Sequence, residues 1–261
     1  MSTENNAKLL ELNYNAQLEA LREIGLLGAN ETIGLGEIAD RMRWAGGFLD
    51  ACRATVNKST GQLTIFTDDE WDGMSSNQQG NYVTIGVRVR AERKSFLISK
   101  SDMKTSGGAY TMLWSAEQQD VPGLTNYGAE NTGMYDDFDA ATMTSAAVTF
   151  AEQRGVAYLP FQLARAYKGC TVEDDGVDDP VEWSVATVAH LRLMSKYRTQ
   201  INAAITRHIG SAYNLQSDWY WSANEYSSQY AWRFHLGSGY VNNNYLKSTN
   251  YLYRVRGVSA L

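Results

Sequence analysis

Apolar residues recur at steps of three and four through Leu9, Leu10, Leu12, Ala16, Leu18, Leu21 and Ile24, ahead of a glycine-rich break at 25–36. That spacing predicts an amphipathic helix. A second stripe between Glu37 and Val56, through Ile38, Met42, Trp44, Phe48, Leu49 and Cys52, predicts another. Both stripes fit a helix pair burying its own face and equally fit a seam between copies of the chain.

From Thr60 the period shortens. Residues 62–66 and 82–90 alternate and are rich in β-branched residues, which predicts strands, and residues 95–98 make a hairpin with the second of them across a polar turn. The loop signal Ser75-Ser76-Asn77-Gln78-Gln79-Gly80-Asn81 marks a domain boundary, dividing the chain into a mainly helical region at 1–78 and a second domain at 79–261. Residues 116–180 read as loop-rich and acidic, with one helix at about 140–153. A longer helical stretch starts at Ser184 as N-cap, runs through Val188, Leu191, Met194, Tyr197, Ile201 and Ile205, stops at Gly210, and divides near Ser195–Arg198. Beyond it short strands are predicted at 219–222, 231–236, 240–242 and 253–259. Strands, helices and strands again make an α+β fold, in which the last strand returns beside the first.

Charge and composition narrow the function. A net charge of −6 excludes a sequence-independent nucleic-acid binder, which needs surplus Lys and Arg to displace counterions. Cys52 and Cys170 stand too far apart for a disulfide framework or a thiolate metal cluster, and a single long-range disulfide stays open. The opening Met-Ser-Thr-Glu-Asn-Asn has no basic or apolar leader, and no stretch approaches the ~18 apolar residues of a membrane span, so the expectation is folding in a cytoplasm without membrane insertion.

Candidate chemistry is sparse. The histidines are His190, His208 and His235; the first two match no metal-ligand spacing, and the third lies in an aromatic segment better read as a contact surface. Glu173-Asp174-Asp175-Gly176-Val177-Asp178-Asp179 offers oxygen ligands to Ca²⁺ but lacks the order of an EF-hand, and a solvated acidic loop is the competing reading. Gly25, Gly28, Gly34 and Gly36 fit no phosphate-binding fingerprint. No cofactor, resident metal or catalytic residue is implied.

The informative segment is 218–253. Eight of the 16 Tyr and three of the 7 Trp lie between Ser211 and Leu261, interleaved with Ser, Asn and Gly. This is the composition of binding loops that combine rigid aromatic area with adaptable hydrogen bonding. Trp221 and Trp232, beside small residues, are expected in the scaffold; Tyr226, Tyr230, Tyr240, Tyr245 and Tyr251, in or beside polar turns, are expected to face solvent. The same 51 residues carry Arg233, Lys247, Arg254 and Arg256 against Asp218 and Glu225, a local +2 on a body of −8. A basic, aromatic tip points to an acidic or sugar-bearing target.

Asp218-Trp219-Tyr220-Trp221-Ser222, Glu225-Tyr226-Ser227-Ser228, Ala231-Trp232, a Gly-Ser-Gly turn, an Asn-rich run and Tyr253-Arg254-Val255-Arg256-Gly257-Val258 together resemble the C-terminus of the variable proteins diversified by diversity-generating retroelements. Gln200-Ile201-Asn202-Ala203-Ala204-Ile205 with Gly210, and the hairpin from Ile85 to Ile98, extend the resemblance over residues 79–261. It implies a C-type lectin fold of the formylglycine-generating-enzyme-like type and a receptor-binding protein at a phage tail-fibre tip, part of the virion. Its partners would be a host-cell surface receptor, protein or glycan, and other phage tail proteins bound through residues 1–78, with the chain a homotrimer. Carried over position by position, the ligand-facing residues are Tyr226, Ser228, Tyr230, Arg233, His235, Tyr240, Asn242, Asn244, Tyr245, Asn250, Tyr251 and Tyr253. Adenine-templated mutagenesis acts on Asn codons, in keeping with the Asn, Tyr and Ser enrichment. The chain departs from the family at Leu159-Pro160, followed here by Phe161-Gln162, and at the acidic insertion from Glu173. Sulfatase-activating enzymes of this fold use a cysteine pair, and only Cys170 lies in the corresponding half; calcium-dependent lectins use Glu-Pro-Asn and Trp-Asn-Asp, absent here. A non-enzymatic protein is therefore expected, with a bacterial ligand-binding or adhesin-like protein of the same fold as the alternative.

Overall fold

In a computed structural model of the chain the described residues are 18–19, 49–128 and 132–261. The helical stripes expected at 9–24 and 37–48 lie outside them, apart from Leu18 and Glu19, which are helical. Of two compact units, the smaller takes residues 1–50 with 90–94, and the larger takes 51–89 with 95–261. The larger unit is α+β, built on two sheets.

The expected helix does not reach Val56. Residues Asp50–Asn57 form strand β1, because Cys52, Ala54 and Val56 repeat every second residue and all three are buried. β1 pairs antiparallel with β2 (Leu63–Phe66) and neighbours β3 (Tyr82–Ala91), so residues on both sides of position 78 share one sheet. The intervening polar segment holds two short helices, α1 (Asp68–Asp72) and α2 (Ser76–Gln79). Each opens on a reciprocal cap, Thr67 with Glu70 and Ser75 with Gln78, so what reads as loop composition is capping chemistry.

β3 and β4 (Lys94–Asp102) form the expected hairpin around Glu92 and Arg93, both in the left-handed region with φ of 48° and 63°. Within it Gly86 is required: a Cβ there would lie 2.2 Å from the Ile98 carbonyl oxygen. A short strand β5 (Thr111–Met112) leads into the acidic region. There α3 (Ala140–Arg154) runs from an Asp139 cap to Gly155 in the left-handed conformation. The sequence pattern missed α4 (Leu159–Ala166), which carries Pro160 in its first turn, and α5 (Val172–Asp175).

Ser184 is not a helix cap. With Val185 it forms strand β6, and Thr187 caps α6 (Val188–Lys196) in a reciprocal pair with His190. The break falls at Tyr197, where α7 (Arg198–His208) begins. Strands β7 (Trp219–Glu225), β8 (Tyr230–His235), β9 (Tyr240–Leu246), β10 (Tyr253–Arg254) and β11 (Arg256–Ala260) follow.

One sheet has the order β2-β1-β3-β4-β11-β6 and the other β5-β10-β7-β8-β9. The last strand thus returns beside β4 and β6 rather than beside β1. Only Val255, fully buried, separates β10 in one sheet from β11 in the other, so the chain crosses between sheets at that residue. Helix α3 packs on β6, β7 and β11, and α6 packs on β7 and β8. The core holds Trp114, Tyr158, Phe161 and Trp183, all fully buried. Among the described residues no helix is long and apolar enough to cross a membrane.

Candidate functional site: an aromatic face around Arg233

Three strands of the five-stranded sheet place side chains in rows. Trp219, His235 and Tyr240 are paired across β7, β8 and β9, as are Trp221, Arg233 and Asn242; between them lies the row Tyr220, Phe234 and Val241. Pleating sends alternate rows to opposite faces. Tyr220 and Phe234 are buried on one, and the two flanking rows share the other. Tyr253 joins this second face from β10, its ring 4.7 Å from Trp221.

Arg233 stands at the centre. Its guanidinium carbon lies 3.7 Å from the Trp219 ring centroid, 3.3 Å from Tyr245 and 4.6 Å from Tyr253, and it donates a hydrogen bond to the Tyr253 hydroxyl. Cation–π attraction holds it there. Burial pulls the Arg233 pKa below the usual guanidinium range, and burial pushes the Tyr253 hydroxyl up to about 12. Tyr253 therefore keeps its proton at neutral pH. Around this centre Trp219 meets His235 and Tyr240 edge-on at 5.2 and 5.9 Å, and Tyr245 meets Tyr251 edge-on at 4.5 Å. His235 accepts at Nδ1 from the Ser238 amide at 3.1 Å, which fixes the turn into β9.

The twelve predicted residues divide. Arg233, His235, Tyr240, Tyr245, Tyr251 and Tyr253 come together on this face, with Asn242 beside Arg233 in the register. Arg233 was expected to project toward a ligand but is 5% exposed, because rings close over it. Tyr240 is 58% exposed and Tyr251 40%, as expected for solvent-facing residues. Tyr226, Tyr230 and Tyr245 are only half-buried rather than exposed, each against another ring. Tyr226 and Tyr230 form a second group on Trp232, and Ser228 is the exposed tip of the turn between β7 and β8. Asn244 and Asn250 are exposed. Trp221 and Trp232 are buried, donating from their indole nitrogens to the Met112 and Tyr127 carbonyls.

Trp219 escaped the sequence reading. It was visible only as part of a motif, although its place two residues from Trp221 puts it on the same face.

The local +2 also changes meaning. Lys247 pairs with Glu225, both fully buried, and donates to the Gln119 carbonyl at 2.8 Å; the Glu225 carboxylate accepts from the Val121 amide at 3.3 Å. Burial, opposed by Lys247, pushes Glu225 up to about 7. Arg254 and Arg256 both meet Asp102 at 3.0 Å, Arg254 also meets Asp218, and Asp102 accepts from the Tyr220 hydroxyl at 3.1 Å. Three of the four basic residues thus serve internal ion pairs, and only Arg233 is left to the face.

The histidines outside the face are buried. His190 sits edge-on to Phe96 and Phe138, and His208 lies 3.4 Å from Asp68. In the acidic run, buried Asp179 accepts from the Gly169 and Val181 amides and the Trp183 indole, and Thr171 caps α5, its hydroxyl accepting from the Asp174 amide. Among the described residues no group of three or more His, Cys, Asp or Glu is placed to hold a metal. Both cysteines are buried and neither forms a disulfide; the Cys52 sulfur accepts from the Arg88 guanidinium at 2.7 Å.

The face can stack flat groups, exchange hydrogen bonds through phenols and carboxamides, and attract negative charge. No family model matches the chain, and no curated protein matches its sequence.

Proposed function

We propose that the chain is a non-enzymatic receptor-binding protein of a phage tail-fibre tip, with a C-type lectin fold presenting the Arg233 face to a host-cell surface receptor. The observation that carries this reading is the continuous aromatic face on β7–β10, exposed at Tyr240 and Tyr251 and resting on buried tryptophans. Such a division suits a surface that must change its outer residues while its scaffold stays fixed. The α+β architecture supports the lectin reading, as does the return of β11 into the sheet of the β3–β4 hairpin, which makes the aromatic strands an excursion from a closed framework. The resemblance to retroelement-diversified variable proteins supplies the biological setting. In that setting residues preceding the larger unit attach the chain to other tail proteins and trimerise it, and avidity multiplies weak single-site binding.

Two experiments test the proposal. Sequencing the flanking DNA should find tail genes, a reverse transcriptase and a near-repeat of the 3′ end of this gene; a metabolic operon in their place overturns the phage reading. Fluorescently labelled full-length chain should adsorb to susceptible strains in a bacterial panel, and Tyr240→Ala with Tyr251→Ala should abolish adsorption. Unchanged adsorption removes the face from the binding role.

A further inference from the structure

Three basic side chains of the C-terminal strands are at least nine-tenths buried: Lys247, Arg256 and Arg233. A buried cation is costly unless compensated by charge and hydrogen bonds. Lys247 has Glu225 and Arg256 has Asp102. Arg233 has no carboxylate among the described residues; its contacts are three aromatic rings and the hydroxyls of Tyr253 and Tyr245, and its buried Nε, like that of Arg256, makes no hydrogen bond. Rings engage the faces of a guanidinium, whereas its N–H groups point outward from the edge in a fork that matches a carboxylate. Stacking and the two phenols therefore hold Arg233 in place but leave its charge without an internal counter-ion. The groups around it are exposed phenol rings at Tyr240 and Tyr251 and the carboxamide of Asn242, its partner in the strand register. Aromatic faces accept the C–H face of a sugar ring, and carboxamides pair with its hydroxyls.

Resting on the reading of this face as the receptor-binding surface, we propose that Arg233 is its anion subsite and that the ligand is an acidic saccharide. The sugar carboxylate sits on the guanidinium and the pyranose ring lies against Tyr240.

The test uses the full-length chain on immobilised oligogalacturonate, oligoglucuronate and sialyllactose, each beside its methyl ester, read by biolayer interferometry. At least one acid should bind, with its ester about tenfold weaker, the loss of one charge-assisted bidentate contact. Arg233→Met should remove the preference for acid over ester while keeping the ester's affinity, and Arg233→Lys should keep part of it. Equal binding of acid and ester overturns the proposal, as does a preference that survives Arg233→Met. Capture of an aspartate-rich peptide in place of any saccharide overturns it too, as does binding to none of the panel by protein that still adsorbs to cells. Should the Arg233 variants fail to fold, the acid and ester pair decides on the unmodified protein. The broader reading fails differently: adsorption that ignores Tyr240→Ala and Tyr251→Ala removes the surface itself, whereas adsorption lost in those variants but indifferent to acid removes only the subsite.

Discussion

Lys247 and Arg233 lie on the same side of the molecule's sequence and are both buried, yet their surroundings oppose each other. Lys247, just past β9, is satisfied from within: Glu225 supplies the opposite charge, the Gln119 carbonyl a hydrogen bond, and the Trp114 ring a contact at 4.7 Å. This cluster ties the segment around residues 119–127 to the sheet, since the Tyr127 amide also donates to the Glu225 carbonyl at 3.0 Å. Arg233, at the centre of β8, is enclosed by rings and has no internal counter-charge among the described residues. One cation is held by an opposite charge, and the other by aromatic side chains alone. The difference separates a charge whose partner must stay for the fold to stand from one whose loss leaves no carboxylate stranded.

Removing the internal counter-charges should therefore have the largest effects. Asp102 serves Arg254, Arg256 and the Tyr220 hydroxyl at once, so Asp102→Asn leaves Arg256 buried without a carboxylate. The expected cost is at the upper end of about 3–5 kcal/mol, measured by urea unfolding. Lys247→Met strands Glu225 and should cost a similar or slightly smaller amount, while the double variant Lys247→Met with Glu225→Gln should recover part of it, a coupling of about 2 kcal/mol in a double-mutant cycle. A cycle with no coupling would place Lys247 on the same footing as Arg233.

A pH series sharpens the same contrast. The Glu225 carboxyl titrates at about 7 in the fold, above its ordinary value of 4.5, because burial disfavours its charge. Between those values the folded protein holds a proton that the unfolded chain has released. Stability from this group is full below about pH 4.5 and declines as the pH rises through about 7. Unfolding of the native protein against Glu225→Gln should show the native losing ground across that window, and a pH-independent difference would contradict the burial of an ionisable Glu225.

The strands on either side of this contrast were legible in the sequence, but the contrast itself was not, for a physical reason. Alternation identified β3, whose buried residues fall mostly on every second position, whereas β7 and β8 are buried almost throughout and were marked out by the polar turns that bound them. The composition of 218–253 pointed to the segment that carries the aromatic face, but it could not tell the exposed Tyr240 and Tyr251 from Tyr226, Tyr230 and Tyr245, which pack against other rings. The pattern failed where pairing overrode it: Cys52 closes a helical stripe in the sequence, yet Cys52, Ala54 and Val56 fill one side of β1 beside β2 and β3. It failed again for charge, because Asp102 is more than a hundred residues from Arg254 and Arg256. Summing charge over a segment assigned to the tip two arginines that the fold neutralises with a distant aspartate.

The substitutions on the aromatic face should scarcely disturb the fold. Arg233→Met removes a desolvated charge together with its cation–π contacts and leaves no orphaned carboxylate behind, so unfolding should shift by no more than about 1 kcal/mol in either direction. A loss comparable to that of Lys247→Met would show that Arg233 is structural.

Tyr240→Ala defines the smallest effect. The ring is 58% exposed and its packing contact is one edge-on meeting with Trp219, so stability should stay within about 0.5 kcal/mol of the native protein. Adsorption to cells should nevertheless fall about tenfold or more, because a solvent-facing aromatic at the centre of a contact contributes to binding what it cannot contribute to folding. The ratio of the two effects is the measurement that matters: lost adsorption at native stability separates presentation from support at a single residue, and a parallel loss of both would return Tyr240 to the scaffold alongside Trp221.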